Sequence, residues 1–258
     1  MIPKKVHYVW LGNNSKSELV KSCIDSWKRN LPDYQIIEWN EKNWDIEQNR
    51  FAFENYKAGK YAYTSDVIRL DVLKRFGGIY LDSDVLVHKS FNDLLDLHSF
   101  WGMMYDDAIS TATIGTEPNN KFIDYLLDKY KKFNRQMILN KEISDNNNGI
   151  ISCAMLDYYP DFKLKNSRQE LADQTVIFPK EYFEFPTYNK NINYGEHLFT
   201  KTWSEEEYSF IHNFLRKHLS NLIGKVAYGK IRSYRGAKRY EYVREHENKR
   251  NMEIREKQ

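Results

Sequence analysis

The sequence lacks a long apolar run. Its longest stretch free of Asp, Glu, Lys and Arg is Asn146 to Leu156, 11 residues that include three Asn. A spanning helix needs roughly 20 apolar residues, so none is expected. Met1-Ile2-Pro3-Lys4-Lys5-Val6 is not followed by an apolar segment ending in small residues. No signal peptide is read, and a cytoplasmic protein is expected. Cysteine is scarce. Cys23 and Cys153 lie far apart on apolar-looking segments, which suits buried reduced thiols better than a disulfide framework or a zinc knuckle. Internal repeats and low-complexity linkers are absent, so 258 residues read as one large domain or a domain with a small appendage.

Core-forming residues are plentiful. The composition is 41% hydrophobic and 15% aromatic, with 19 Tyr, 14 Phe and 6 Trp, enough for a sizeable core and inconsistent with bulk disorder. The net charge of +3 is unevenly spread. Ser220 to Gln258 holds 11 Lys and Arg against 5 Glu, leaving 28 against 31 acids, a net −3, in the first 219 residues. Chemistry is therefore expected in the body, with the basic tail meeting something anionic or forming a solvated helix.

The first 90 residues alternate strands with helices. Lys5 to Leu11 is β-branched and aromatic and stops at Gly12-Asn13-Asn14, which predicts a buried strand with a loop at its C-terminal end. Glu18 to Asn30 spaces Leu19, Cys23, Ile24 and Trp27 as a helix, and Tyr34 to Trp39 is again strand-like. Lys60 to Phe76 predicts a helix closed by Gly77-Gly78, followed by the strand Ile79-Tyr80-Leu81. Such alternation argues for an α/β fold with a mixed, mostly parallel sheet, where ligands bind beyond the C-terminal strand ends. Further on, strands are expected at Phe100 to Tyr105, Ile109 to Gly115, Thr175 to Phe178 and Tyr182 to Phe185. Helices are expected at Asn120 to Phe133, Gly149 to Tyr159 and from Ser204 into the tail.

The sharpest chemical feature is Asp82-Ser83-Asp84 behind the apolar Gly78-Ile79-Tyr80-Leu81. In an extended strand, residues two apart share a face, so both carboxylates can converge on one cation. Hard oxygen ligands imply Mg2+ or Mn2+ and a diphosphate-bearing substrate. The plain alternative is a strand ending in turn residues. Asp66 and Arg69 share a helix face among apolar neighbours, either as a structural ion pair or with Asp66 accepting ligand hydroxyls and Arg69 holding it or meeting a phosphate. Trp10, level with the Asp82 edge, is either core or a platform for a flat ring. His197, Lys201 and Trp203 fall within seven residues. They suit a third metal ligand, a diphosphate partner and a pocket wall, whereas a lone loop His is otherwise simply exposed.

Taken in order, His7-Tyr8-Val9-Trp10-Leu11-Gly12, Trp27 with Leu31-Pro32-Asp33-Tyr34, Glu38-Trp39-Asn40, Tyr61 to Arg69 and Gly77 to Asp84 closely resemble the glycosyltransferases of family 32. That family is one of DXD sugar transferases and includes capsule and polysaccharide enzymes, fungal initiating mannosyltransferases and, distantly, glucosylating toxins. The match covers roughly residues 2 to 95. It implies a GT-A type, Rossmann-like nucleotide-sugar-binding domain over 1-219, with 220-258 as a helical extension at a membrane surface or an oligomer contact. It also implies a retaining transfer of a hexose, dependent on Mn2+ or Mg2+, from UDP-galactose or UDP-glucose to a glycan or lipid-linked saccharide, with no nucleic-acid partner.

The resemblance assigns donor binding to Val9, Trp10, Asp66, Arg69, Tyr80, Asp82, Ser83, Lys201 and Trp203. Trp10 is similar to the base-stacking aromatic and Tyr80 to the aromatic beside ribose and diphosphate. Asp82 resembles a ribose or outer carboxylate and Asp84 the direct metal ligand, with His197 as the third member of the metal set. Asp66, Arg69 and Asp84 form the catalytic set. Asn147, Asn148 and Gly149 stand where related enzymes face the acceptor. Two rivals use part of the same pattern: a phosphohydrolase of the haloacid-dehalogenase kind built on Asp82 and Asp84, and a basic-tailed membrane or nucleic-acid adaptor without catalysis.

Overall fold

A computed structural model of the chain describes residues 1–12, 14–200 and 224–256. A seven-stranded mixed sheet forms its centre, in the order β2-β1-β3-β6-β5-β8-β7. Its strands are β1 (Lys5–Val9), β2 (Gln35–Trp39), β3 (Gly78–Leu81), β5 (Ser99–Tyr105), β6 (Ala108–Thr116), β7 (Gln169–Glu170) and β8 (Thr175–Phe178). β1 pairs parallel with β2 and β3, and β5 parallel with β8, whereas β6 and β7 run antiparallel to their neighbours. Five strands therefore share one direction, as alternation in the sequence predicts. A separate two-stranded ladder joins β4 (Val85–Val87) to β9 (Gly195–His197).

The helices cover both faces of the sheet. α1 (Glu18–Asn30) starts at Ser17, whose side chain accepts from the Val20 amide, and it buries Val20, Cys23, Ile24 and Trp27. With Val6, Tyr8, Ile79, Leu81 and Phe100 these residues make the core on one face. On the other face α2 (Arg50–Lys57), α3 (Tyr61–Phe76), α4 (Lys121–Lys132) and α6 (Asn147–Tyr158) pack on Val9, Tyr80 and Trp101. The short α5 (Arg135–Leu139) buries none of its residues. Successive strand residues serve opposite cores, which is the period-two alternation read from the sequence. Cys23 is buried and Cys153 half-buried, both as free thiols.

Two glycines aim the chain at the site. α3 ends where the Gly77 amide donates to the Leu73 carbonyl, with φ of 57° at Gly77 and 100° at Gly78. A Cβ on Gly78 would lie 2.7 Å from the Lys5 carbonyl oxygen, so the reversal from α3 into β3, close against β1, requires glycine. His7 locks the same junction. Its Nε2 lies 2.8 Å from the Gly77 oxygen, and its Nδ1 accepts from Trp39 Nε1 at 3.0 Å.

That arrangement suits only the neutral ring. Burial, opposed by the Gly77 bond and aided by Lys5, lowers the His7 pKa to about 4. Its stabilising contribution is thus fully present above the unfolded pKa of about 6.5 and is lost as pH falls through that value towards 4. Urea titrations at pH 7.5 and 4.5 are expected to differ more in wild type than in His7→Gln, by about 2 kcal/mol. Equal pH dependence in the two proteins would contradict this.

The described part of the basic tail folds onto the body. α7 (Lys225–Ala237) and α8 (Glu241–Glu256) place Tyr240 and Val243 in the core with α6. Gly149 and Gly236 face Tyr242 and Tyr105 so closely that an added Cβ would lie 1.6 and 2.2 Å from their side-chain atoms. The expected boundary at 219/220 and the expected helix start at Ser204 lie outside the described residues. Tyr182 to Phe185 is a turn, not a strand: the Glu184 and Phe185 amides both bond the Lys180 carbonyl, and Phe183 and Phe185 are both buried. No helix among the described residues is long and apolar enough to cross a membrane.

Candidate active site

The site lies beyond the C-terminal ends of β1 and β3. The register pairs His7 with Tyr80, and β1 and β3 end close by at Val9 and Leu81. Val9 is buried at the strand end, and Trp10, half-buried, donates from Nε1 to the Asn14 carbonyl at 3.0 Å with the Lys16 ammonium 5.3 Å from its ring. Asp82, Ser83 and Asp84 do not continue the strand as expected. β3 stops at Leu81, and the Val85 amide turns back to the Asp82 carbonyl at 3.0 Å. The two carboxylates meet through this turn and not through strand alternation.

The partner that completes the group comes from late in the chain. β4 follows Asp84 immediately and pairs with β9 in a register that sets Val85 opposite His197. His197 is thus a strand residue and not an exposed loop one. Its Nε2 lies 3.3 Å from Asp84 Oδ1, and its Nδ1 lies 3.0 Å from Glu184 Oε2. One ligand atom each from Asp82, Asp84 and His197 lie within 4.8 Å of one another. Two carboxylates and an imidazole suit a divalent ion such as Mn2+ or Mg2+, so these residues fit a metal.

The electrostatics agree with a site built for cationic charge. Burial alone would raise the Asp84 carboxyl. The His197 charge and hydrogen bonds from His197 and from the Thr200 amide and hydroxyl, the last two at 2.7 and 2.9 Å, instead hold it well below the usual carboxylate range. Burial opposes the charge on His197 as well, yet Asp84 and Glu184 keep its pKa well above the ordinary value. An imidazolium therefore balances the acids when no metal is bound.

Beside this group, Arg69 of α3 joins three elements. It lies 3.0 Å from Asp66 and 3.3 Å from Asp82, donates to the Thr111 carbonyl at 2.7 Å and stacks 4.6 Å over the Tyr80 ring. The Tyr80 hydroxyl donates to Asp82 at 3.0 Å. Burial pushes the Asp66 carboxyl up to about 7 against the pull of Arg69. The Asp82 carboxyl is also raised by burial, with Arg69 opposing. The Nε of Arg69 is buried without a protein partner among the described residues.

The N-terminus of α6 closes the far side. Asn147 receives the Tyr130 hydroxyl at 2.6 Å and donates to Asp66 at 2.8 Å. Asn148 spends its amide on Thr111 and Met104, and Gly149 is buried under the Tyr242 hydroxyl. Lys201 and Trp203 lie outside the described residues. Sequence reasoning misses Glu184 and Thr200. A lone acid inside Tyr182-Phe183-Glu184-Phe185 is the available signal for Glu184; Thr200 offers none.

Residues 17–101 match the family described as the glycosyltransferase sugar-binding region containing a DXD motif. That third of the chain is similar to the sugar-binding region of the DXD glycosyltransferases. Over about half its length the chain is 27% identical to inositol phosphoceramide mannosyltransferase 3 of Schizosaccharomyces pombe, covering 51% of this chain and 38% of that protein. It is 30% identical to an uncharacterized glycosyltransferase of Acanthamoeba polyphaga mimivirus, covering 49% and 54%. Among solved structures, the PaToxG glycosyltransferase covers 62% of this chain and 70% of its own at 23% identity and a TM-score of 0.48. The chain thus spans about a third to a half of the length of those two curated relatives. The match over residues 17–101 favours sugar transfer over the phosphohydrolase and adaptor readings of the Asp pair.

Proposed function

We propose that the chain is a retaining hexosyltransferase that takes a UDP-hexose, UDP-galactose or UDP-glucose first, and passes the sugar to a glycan or lipid-linked saccharide. The observation that carries this reading is the convergence of Asp82, Asp84 and His197 on one point beside the Asp66–Arg69 pair. Asp82, Asp84 and His197 would hold Mn2+ or Mg2+. When bound, that ion supplies countercharge for the departing diphosphate. Trp10 offers its half-buried ring to the base, and Arg69 adds a fixed positive charge that needs no reorganisation. Asp66, at the floor with Asn147, is placed to accept a donor-sugar hydroxyl and to face the positive charge that grows on the sugar. Asn147 leads the acceptor side in this reading, with Asn148 and Gly149 shaping the wall behind it.

A panel of nucleotide sugars incubated with protein and Mn2+ tests the proposal by release of nucleotide diphosphate. Hydrolysis of a UDP-hexose is expected, abolished by EDTA and restored by excess Mn2+. Failure of every sugar in the panel, with Mn2+ present, would remove the reading.

A lipid-linked acceptor draws support from relatives named for an inositol phosphoceramide substrate. α7 also exposes Ile231 (40%) and Tyr234 (71%) beside Lys230, Arg235 and Lys238. Such a face suits an anionic membrane surface at the cytoplasmic side. Lys230→Glu with Arg235→Glu is expected to lose sedimentation with phosphatidylserine vesicles at low salt. Unchanged sedimentation would remove the membrane part alone.

A further inference from the structure

The Glu184 carboxylate is fully buried beside His197. Its neighbours in sequence, Phe183 and Phe185, are buried aromatics. An ionised carboxylate in such a setting costs several kcal/mol unless it is paired and hydrogen-bonded. Two groups meet it. Ser110 of β6 donates its hydroxyl to Oε1, and Oε2 lies 3.0 Å from Nδ1 of His197. The main chain repeats the contact, since the His197 amide donates to the Glu184 carbonyl at 3.2 Å.

We infer that Glu184 is a positioning residue which fixes His197, through Nδ1, as a metal ligand through Nε2. The inference rests on the cation reading of Asp82, Asp84 and His197. A carboxylate that accepts the Nδ1 proton selects the neutral tautomer whose lone pair is on Nε2, and it makes that nitrogen more basic. Nε2 is the atom that faces Asp84 Oδ1 at 3.3 Å. Ring rotation is restrained as well. The Phe199 ring lies on the imidazole with centroids 4.1 Å apart and planes inclined by 25°, and the Arg232 guanidinium sits 4.0 Å from the Phe199 ring centre. Phe199 reaches this position with φ of 52°, a strained backbone for an aromatic residue. Side-chain bond, ladder register and ring stack all hold one imidazole orientation.

A merely structural buried pair would stabilise the fold without reference to the ion. The two roles separate when Mn2+ alone is titrated into metal-free protein and free Mn2+ is followed by electron paramagnetic resonance. Glu184→Gln keeps the shape and the Ser110 bond but removes the charge. It is expected to raise the Mn2+ dissociation constant by about 10- to 100-fold, the usual cost of losing such a partner. In a His197→Ala background the same substitution should change nothing, because the group it acts through is gone.

An unchanged dissociation constant in Glu184→Gln would overturn the inference, and so would equal weakening in both backgrounds. Should Glu184→Gln fail to fold by circular dichroism, Ser110→Ala decides. Weaker Mn2+ binding only where His197 is present supports the role, and any other result overturns it. Wild-type protein that binds no Mn2+ would sink the underlying cation reading, whereas tight wild-type binding with an indifferent Glu184→Gln sinks only the positioning role of Glu184.

Discussion

Asp84→Asn is expected to lower kcat/KM for Mn2+-dependent hydrolysis of a UDP-hexose by about 10³-fold, a magnitude typical of losing a major electrostatic contributor to the transition state. The amide keeps the size of the side chain but loses the charge that faces His197 Nε2 at 3.3 Å. Stability of the metal-free protein should fall too. Two neighbouring acids suggest, from sequence, a repulsion whose removal would be neutral or stabilising. In the fold Asp84 instead accepts from the Thr200 amide and hydroxyl and stands against an imidazolium. Hydrogen bonds to a charged group contribute about 1.5–3 kcal/mol each, so the melting temperature should drop. The ion's own contribution is read from the difference made by Mn2+. Wild type should gain thermal stability with added Mn2+ by mass action, and Asp84→Asn should not. An equal Mn2+ response in the two proteins would place the ion elsewhere.

Arg69→Met carries the second large effect. One side chain neutralises Asp66 and Asp82, bonds Thr111 and covers Tyr80. Its loss leaves the buried Asp66 and the half-buried Asp82 uncompensated, at a cost of about 3 kcal/mol. Asp66, with a pKa already near 7 from burial, offsets part of that cost by taking up a proton. Adding Asp66→Asn to Arg69→Met should therefore recover much of the stability while leaving hydrolysis at background. Recovery of activity along with stability would reduce the pair to a structural ion pair. A single variant cannot make that distinction, because it removes the buried charge balance and the catalytic charge together.

How far the sequence can be read depends on distance along the chain. The β-α-β start and the closing Gly77-Gly78 are local patterns, and the structure has them where periodicity and glycine chemistry put them, whereas the acids behind Leu81 converge through a turn that alternation does not show. Val9, Trp10, Asp66, Arg69, Tyr80, Asp82 and Asp84 fall in that legible first third. Contacts made across the chain are not legible. Glu184 reads as one acid among aromatics until β9 and the 180–185 turn bring it under His197. Asn147 reads as a loop asparagine until α6 begins there, capped by Asn146, and its amide reaches Asp66. The tail shows a similar gap. Its charge suggests an anion-binding or solvated helix, but Tyr240 and Val243, apolar residues at helical spacing, are what anchor it in the core.

The β4–β9 ladder has a consequence for how the protein is made. Thr200 follows Asp84 by 116 positions, so a nascent chain emerging from the ribosome carries its acids long before their imidazole and hydroxyl partners exist. Until that late strand docks, Asp82 can draw on Arg69 and Tyr80, but Asp84 lacks His197 and Thr200, the partners it has in the finished fold. Closing so long a loop is entropically unfavourable, and if Asp82, Asp84 and His197 hold a cation as proposed, the free energy of its capture would count towards closure. Cation supply during synthesis would then govern how quickly the second half of the chain settles, and starvation for divalent ions would show as slow maturation before it showed as slow turnover.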